Sequence, residues 1–347
     1  MMPEQKILCG LLLGSVLLSP AALAQTAQSG PPAEKPAEEK KEEVGIFSFV
    51  LENDLFADTD RRYTNGFRFT YMTPKGGEPD WLREAALRLP AFDGNSDIRV
   101  EYAFGQNMYT ASDKLLRDPP RDDRPYAGWL YGSVGVVART GRVLDQASLS
   151  LGVVGPAAMA HETQDVIHRI VNSPLANGWD TQLENEPTLQ FTYQRSWQSP
   201  EFDLPLGFTV DATPHAGFAL GNVFTYANTG AMLRFGQNLP TDYGPLRVQP
   251  SLPGSGYFEP SRRGSIGWYL FAGVDGRATA HNIFLDGNTF RDSRSVDREV
   301  FVGDAQFGFA VVLDGVRFAY TYVLRTREYR SQADADEFGV VSVSFRF

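Results

Sequence analysis

The stretch "VRFAYTYVLR", residues 316–325, alternates large apolar with smaller or basic side chains and decides the fold class. One face would carry Val316, Phe318, Tyr320, Tyr322 and Leu324, and the other Arg317, Ala319, Thr321 and Arg325. The final residues, "VSVSFRF" at 341–347, repeat the alternation and end on an aromatic. A soluble β-sandwich also alternates, but an aromatic face over ten residues is typical of a strand between lipid and a polar lumen. We therefore predict an all-β fold, a transmembrane antiparallel β-barrel.

About twelve segments of this kind follow one another along the chain. They are 46–54, 63–73, 98–109, 126–139, 144–155, 188–198, 206–220, 223–236, 264–280, 299–312, 316–328 and 337–347. The number is even, as in single-chain bacterial barrels. The turn "LDGV" at 313–316 indicates a tight hairpin between the tenth and eleventh segments.

The first 43 residues do not alternate in this way. Residues 1–24 hold Lys6, an apolar run and the sequence Ala-Leu-Ala, which predicts a signal peptide cleaved after Ala24. Residues 25–43 are rich in Ala, Pro, Glu and Lys, so we expect a disordered acidic and Pro-rich tether, with the barrel covering 44–347. The single cysteine, Cys9, falls in the signal peptide, which excludes a disulfide or a Cys-ligated metal from the mature protein.

The formal net charge of -10 bears on the choice of partner. A nucleic-acid partner is not expected, because binding phosphate requires Lys and Arg to displace counterions. An anionic membrane surface is compatible with this charge only if divalent cations mediate the contact.

Counting strands predicts which loops share an end of the barrel. With both termini on the periplasmic side, the turn after Asp54, the loop near 110–125 and the long loop near 157–187 all emerge on the extracellular side. The connections near 74–97 and 237–262 then fall on the periplasmic side, although periplasmic turns are usually short.

A dense run of polar residues lies where the first two strands meet the extracellular rim, in "ENDLFADTDRRYTNGF" at 52–67. Alternation turns Phe47, Phe49 and Leu51 outward, so Asp54 and Thr64 would face the lumen together. An ordinary hairpin with Asn and Asp turn chemistry is an equally good interpretation of these residues taken alone.

The 157–187 loop contains a predicted helix, "HETQDVIHRIVN" at 161–172. Val166, Ile167, Ile170 and Val171 would form an apolar stripe, and His161, Gln164, Asp165 and His168 an opposite face. Gln164 and His168 lie one turn apart, and a solvated helix face is the default interpretation of such residues. A zinc hydrolase is disfavoured because no His-Glu-x-x-His motif is present, and no Gly-x-Ser-x-Gly elbow occurs either. His215 and His281 lie in or at the end of strands, where structural or surface roles are expected.

Three stretches in this order resemble the lipid A 3′-O-deacylase family of outer-membrane barrels: "ENDLFADTDRRYTNG", "VGPAAMAHETQDVIHRIVN" and "NGWDTQLENEP". The resemblance implies a calcium-dependent ester hydrolase that removes an acyl group from the lipid A of lipopolysaccharide at the outer leaflet. Its site residues would be His168, Gln164, Asn53, Asp54, Thr64 and Lys114, with the calcium held by Asn53 and Asp54. Lys114 corresponds to the family lysine only if a small deletion is allowed.

The mechanism suggested by these residues is hydrolysis by an activated water. An imidazole with an ordinary pKa near 6.5 suits His168 for the role of base, and oxygen ligands suit Ca²⁺. Two alternatives remain open from the sequence: an outer-membrane esterase of the phospholipase type, and a non-catalytic barrel for passage or adhesion. The sequence does not indicate the oligomeric state.

Overall fold

Twelve long antiparallel strands form one closed barrel in the computed structural model, which describes residues 44–53, 63–88, 92, 96–171, 173–248, 255–260 and 265–347. The strands are β1 Ile46–Asn53, β2 Tyr63–Met72, β3 Asp97–Tyr109, β4 Ala127–Thr140, β5 Val143–Val154, β6 Glu186–Trp197, β7 Thr209–Gly221, β8 Phe224–Gln237, β9 Gly267–Asn282, β10 Phe301–Leu313, β11 Val316–Arg325 and β12 Asp336–Arg346. The predicted barrel and its strand count are confirmed. The predicted signal peptide and tether, at 1–24 and 25–43, lie outside the described residues.

Each strand pairs with its neighbours in sequence, and one further pairing, between the first strand and the last, closes the sheet. The first and last strands, β1 and β12, pair in antiparallel register, and β6 pairs with β7. The two ends of the barrel segment meet, since the amide of Gly45 donates to the carbonyl of Phe347 at 3.0 Å. We call the end that carries these termini the periplasmic end, and the opposite end the extracellular end.

The hairpin predicted at 313–316 is present between β10 and β11. Asp314 and Gly315 both have positive φ, 45° and 82°, as the central residues of a tight type I′ turn require. Glycine and aspartate tolerate this conformation better than most residues, which explains the "DG" in the sequence.

The outer face of the barrel is apolar along most strands, as the alternation predicted. Phe47, Phe69 and Tyr71 are exposed, and Phe49 packs on Phe69 across the β1–β2 pair with ring centroids 4.8 Å apart. The intervening residues of β1 and β2, Ser48, Val50, Glu52, Arg68 and Thr70, are buried in the lumen. The side chains of Tyr63, Thr64 and Asn65 lie outside the described residues.

The lumen is filled partly by the connection between β8 and β9. Its described residues 242–248 and 255–258, which we call the lumen segment, are all buried, and Leu246 and Val248 belong to an apolar cluster with Val50 of β1. Tyr257 and Phe258 pack lower in the barrel beside Ile46. The long connection predicted near 237–262 therefore turns back into the barrel, which explains its length at an end where short turns are usual.

Three α-helices lie outside the strands in the described part of the chain. The predicted helix is confirmed as α2, Ala160–Val171, in the extracellular 155–185 connection. Two were not predicted: α1, Asp80–Ala86, on the periplasmic side, and α3, Ile283–Asp286, whose Phe284 stacks on Tyr109 with ring centroids 4.1 Å apart. None of these helices is long and apolar enough to cross a membrane.

Buried ion pairs hold the extracellular end of the lumen together. Glu328, in the loop after β11, accepts from Arg124 at 2.5 Å and lies 3.7 Å from Arg325. Burial by itself would raise the pKa of Glu328, but Arg124, Arg325 and Arg277 outweigh it and lower that pKa from 4.5 to about 2. The loops at this end are thus tied to the barrel wall by charge.

We expect Glu328 to make the free energy of unfolding depend on pH between 4.5 and about 2. A carboxyl group whose pKa is lowered by folding stabilises the protein fully above its unfolded pKa and loses that contribution as the pH falls through its folded pKa. Lowering the pKa of Glu328 from 4.5 to about 2 corresponds to about 3 kcal/mol of the free energy of unfolding. The test is detergent-solubilised unfolding of wild type and Glu328→Gln from pH 6 to 2, with the difference expected to shrink across that window. A difference that stays constant with pH would contradict the assignment.

Candidate active site

The helix α2 lies on the outer wall of the barrel, not over its lumen. Trp129 and Tyr131 of β4 point into the lumen. Because side chains alternate along a strand, Gly128, the residue before Trp129, faces outward. A methyl group placed on Gly128 would lie 2.3 Å from the Cβ of Ala160, the first residue of α2. On β3, Gln106 donates from Nε2 to the carbonyl of Ala158 at 2.6 Å and fixes the start of the helix.

Half of the predicted polar face of α2 packs against the wall, contrary to the solvated face that is the default interpretation of the sequence, while His161 of that face is exposed. Gln164 and His168 are 1% and 2% exposed, whereas Val166 of the predicted apolar stripe is 56% exposed. Ile167 packs partly against the wall, and the side chains of Ile170 and Val171 lie outside the described residues. The outward side of α2 is mixed, since it carries the charged residues Glu162 and Arg169 as well as Val166.

His168 is held in one orientation by the loop that follows α2. Its Nδ1 lies 2.7 Å from the carbonyl oxygen of Pro174, and its own carbonyl accepts from the amide of Ser173 at 2.9 Å. Since a carbonyl oxygen carries no proton, Nδ1 must be the donor in this hydrogen bond. The neutral imidazole therefore carries its lone pair on Nε2.

Lys114 belongs to the same pocket although it comes from the 110–126 loop. Its Nζ donates to the hydroxyl of Ser173 at 3.3 Å, one residue from the carbonyl that holds His168. Its carbonyl accepts from the amide of Asn177 at 2.8 Å and from the hydroxyl of Tyr126 at 3.2 Å. Lys114 is 8% exposed. Its ammonium group is therefore held, largely out of solvent, against the loop that follows His168.

Gln164 is oriented by Trp179, a residue to which the sequence analysis gave no role. The indole Nε1 donates to Gln164 Oε1 at 2.7 Å, and Tyr126 packs edge-on against the indole with centroids 5.2 Å apart. The amide Nε2 of Gln164 is buried and has no hydrogen-bond partner among the described residues. A buried donor without a partner is unfavourable, so this amide is available to a further hydrogen-bond acceptor.

The pairing of β1, β2 and β3 places Asn53 near this pocket. It pairs with Asn65 of β2, which in turn pairs with Met108 of β3, and Met108 is buried under α2 with Tyr126 and Ala160. Adjacent strands are about 4.8 Å apart, which puts Asn53 about 10 Å from Met108 at the same height. Asn53 is 6% exposed even though the alternation of β1 turns it outward, where its neighbours Phe47 and Phe49 meet lipid.

Asp54 and the side chain of Thr64 lie outside the described residues, so their predicted orientation toward the lumen stays a prediction. The backbone does show that the β2–β3 register shifts between Tyr63 and Asn65, which leaves Thr64 as the extra residue of a bulge. Bulges of this kind re-aim a strand and are frequent beside active sites. A strict alternation along β2 does not include this shift.

The described residues contain no group of three or more His, Cys, Asp or Glu side chains arranged to hold a metal. His161 is half-exposed and stacks on Trp179, with an aspartate 3.8 Å away on its own helix. His215 is buried in the lumen, 2.9 Å from Asp275, in keeping with the structural role expected for it.

Comparison with known proteins identifies relatives of the whole chain. A family model described as outer membrane protein LpxR matches residues 11–347. The solved structure of LpxR from Salmonella typhimurium is 21% identical, covers 87% of this chain and 100% of that one, and has a TM-score of 0.68. The β domain of the Bordetella autotransporter Brka is less similar, with 10% identity, 88% and 99% coverage and a TM-score of 0.43. No curated protein sequence matches the chain.

The contact between α2 and the wall leads to a test that needs no knowledge of activity. Gly128→Ala should displace α2, because its new methyl group would overlap Ala160. Overpacking of this kind typically costs 1–3 kcal/mol, so we expect roughly 10- to 100-fold faster amide hydrogen exchange in α2. The matched control is Gly132→Ala on the same outer face of β4, where the nearest heavy atom is 4.0 Å away. Equal exchange in the two variants would contradict the packing.

Proposed function

Because this chain belongs to the family of outer membrane protein LpxR, whose members are lipid A 3′-O-deacylases, we propose that the pocket between α2 and the outer wall is its ester-hydrolysing site. The chain is an outer-membrane β-barrel, and lipid A is the substrate of the family. The observation that carries the proposal is the imidazole of His168, buried against the outer wall with its Nδ1 proton committed to Pro174.

The position of the pocket suits a substrate that stays in the membrane. Lipid A lies in the outer leaflet, and a site on the outer wall near the extracellular rim meets its acyl chains without removing them from the bilayer. The apolar face of the barrel runs up to this pocket, with Phe104 of β3 exposed below the buried Gln106. A lumen site would require the lipid to leave the leaflet.

In the proposed reaction, His168 first accepts a proton from water and then donates it to the leaving group. Nε2 accepts a proton from a water molecule as its oxygen bonds to the ester carbonyl carbon. The resulting imidazolium gives that proton to the departing alkoxide, so the ester C–O bond breaks to leave a fatty acid and a hydroxyl group on the lipid. The hydrogen bond from Nδ1–H to Pro174 keeps the ring in the tautomer that both transfers need.

The remaining polar groups orient the reactants. The Nε2 amide of Gln164 is the donor available to the ester or the water, since Trp179 occupies Oε1. Lys114 brings a positive charge near an anionic lipid, and its ammonium is kept in place by Ser173. We assign Thr64 to the wall of the same pocket on account of the bulge at its position in β2.

We assign a Ca²⁺ ion to Asn53 and Asp54. Their donors are an amide oxygen and a carboxylate, the oxygen ligands that calcium prefers, and Asn53 is buried on the face of β1 that leads to α2. Bound there, the ion would supply a positive charge for the ester carbonyl oxygen. It would also bring an acidic protein and an anionic lipid together.

Replacing the base is the direct test. We expect His168→Ala to lower the deacylation rate by roughly 10²- to 10⁴-fold, the usual contribution of a general base. The measurement is mass spectrometry of lipid A from membranes that contain wild type or variant, with and without a calcium chelator. Loss of an acyl mass that requires both His168 and the cation supports the proposal.

Folding of the variant is checked first, by the shift in electrophoretic mobility on heating. A folded His168→Ala protein with full activity would overturn the assignment of the base. Unchanged lipid A in every sample, together with fatty acid released from phospholipid, would point to the phospholipase-type alternative.

A second prediction concerns the orientation of Gln164. Trp179→Phe keeps an aromatic ring but removes the hydrogen bond to Gln164 Oε1. We expect turnover to fall about tenfold, because a buried hydrogen bond of this kind contributes about 1 kcal/mol or more. Trp197→Phe, on the exposed face of β6, is the matched control and should leave the rate unchanged. Equal rates for both variants would show that Gln164 needs no such support.

A further inference from the structure

The lumen segment reaches from the periplasmic end to the back of the candidate active site. Near the periplasmic end, Arg317 of β11 donates to the carbonyl of Ser255 at 2.7 Å and lies 3.2 Å from Asp242. Toward the extracellular end of the barrel, Arg247 donates from Nε to Glu52 Oε1 at 2.7 Å, and the amide of Val248 donates to the same oxygen at 3.0 Å. One connection thus contacts both halves of the barrel interior.

Glu52 lies directly before Asn53 in β1 and faces the opposite side of the wall. Its side chain is 1% exposed, and its backbone pairs with Gly66 of β2 and Val340 of β12. Because successive side chains alternate across a strand, a contact that fixes Glu52 from the lumen also limits how Asn53 is presented on the outer wall. β1 ends one residue later, at Asn53, where strand pairing is weakest.

The ion pair between Arg247 and Glu52 is held by further contacts of the arginine. Arg247 also donates to Gln306 Oε1 at 3.4 Å, and its guanidinium lies over the ring of Phe338 at 5.5 Å from the ring centre. Both partners are almost wholly buried, with 2% exposure for the arginine side chain. Buried pairs add little net stability compared with apolar residues, but they fix geometry where both partners are satisfied.

We infer that Arg247 is a positioning residue: through Glu52 it holds the extracellular end of β1, and thereby Asn53, in place from inside the barrel. A segment that enters from the periplasmic side would then set the geometry of a site on the extracellular side. The inference rests on the proposed function only in taking Asn53 as part of the site.

The first experiment measures amide hydrogen exchange and is independent of activity. Arg247→Met should accelerate exchange in peptides that cover residues 50–53 at least tenfold, with little change in β6 or β9. The double variant Arg247→Met and Glu52→Gln should do the same, which separates loss of the contact from the presence of an unpaired carboxylate. Arg247→Lys should restore most of the protection.

Arg317→Met is the matched control, because it removes an arginine contact of the lumen segment at its periplasmic end. Asp242 keeps its pairing with Arg234 in that variant, so the control leaves no unpaired carboxylate. Its exchange at 50–53 should match wild type. Unchanged exchange at 50–53 in Arg247→Met, or an equal rise in every strand of Arg247→Met and Arg317→Met, would overturn the inference.

The second experiment measures whether loss of the contact between Arg247 and Glu52 changes turnover and calcium dependence. In folded protein, Arg247→Met should reduce turnover roughly 10- to 100-fold, since small misplacements of a catalytic group have effects of that size. It should also raise the calcium concentration needed for half-maximal rate, while the Michaelis constant for lipid A changes less. If His168→Ala proves active, the proposed site fails, but the exchange data still decide the role of Arg247. Faster exchange at 50–53 with unchanged turnover and calcium dependence would show that Arg247 holds β1 without positioning a catalytic group.

Discussion

The constraint on which the structure depends is that a sheet in a membrane must leave no backbone donor or acceptor unpaired. Here that constraint is met by the pairing of β1 with β12, which closes a ladder in which consecutive strands such as β6 and β7 are already paired. Closure gives every strand two distinct environments, lipid outside and a confined lumen inside. The alternation of the sequence, the buried charges and the position of α2 all follow from this division.

The division also explains why the candidate site lies outside the barrel. The lumen is occupied by apolar side chains, by the lumen segment and by paired charges such as Arg325 with Asp304. The outer wall faces the membrane, in which the substrate of the family resides. α2 turns Gln164 and His168 toward the protein and Val166 away from it, although Glu162 and Arg169 are exposed as well.

The fold was predictable because a period of two is a local signal, readable from a few residues at a time. The twelve strands, their outward aromatic faces and the Asp314–Gly315 turn all have this local origin. The lumen segment was not predictable, because it lacks periodicity and its burial depends on distant partners such as Glu52. The buried side of α2 was missed for a related reason: amphipathicity shows that a helix has two faces but not which solvent each one meets.

Of the candidate site, the grouping of His168, Gln164 and Lys114 came from resemblance to a family, and the structure places all three around Ser173 and Trp179. These two supporting residues were overlooked, although Trp179 lies in the "NGWD" stretch that carried part of the resemblance. Supporting contacts come from loops without a pattern, so a sequence shows them only through position relative to a motif. Asn53 was also assigned from that resemblance, and register alone connects it to the helix.

The lumen segment also spans the seam of the barrel from inside. It belongs to the connection between β8 and β9, whereas the sheet is closed by the pairing of the first strand with the last. The segment contacts Glu52 of β1 on one side of that seam and Arg317 of β11 on the other. The two ends of the sheet are thus braced from within by a connection from the middle of the chain, in addition to their own backbone ladder.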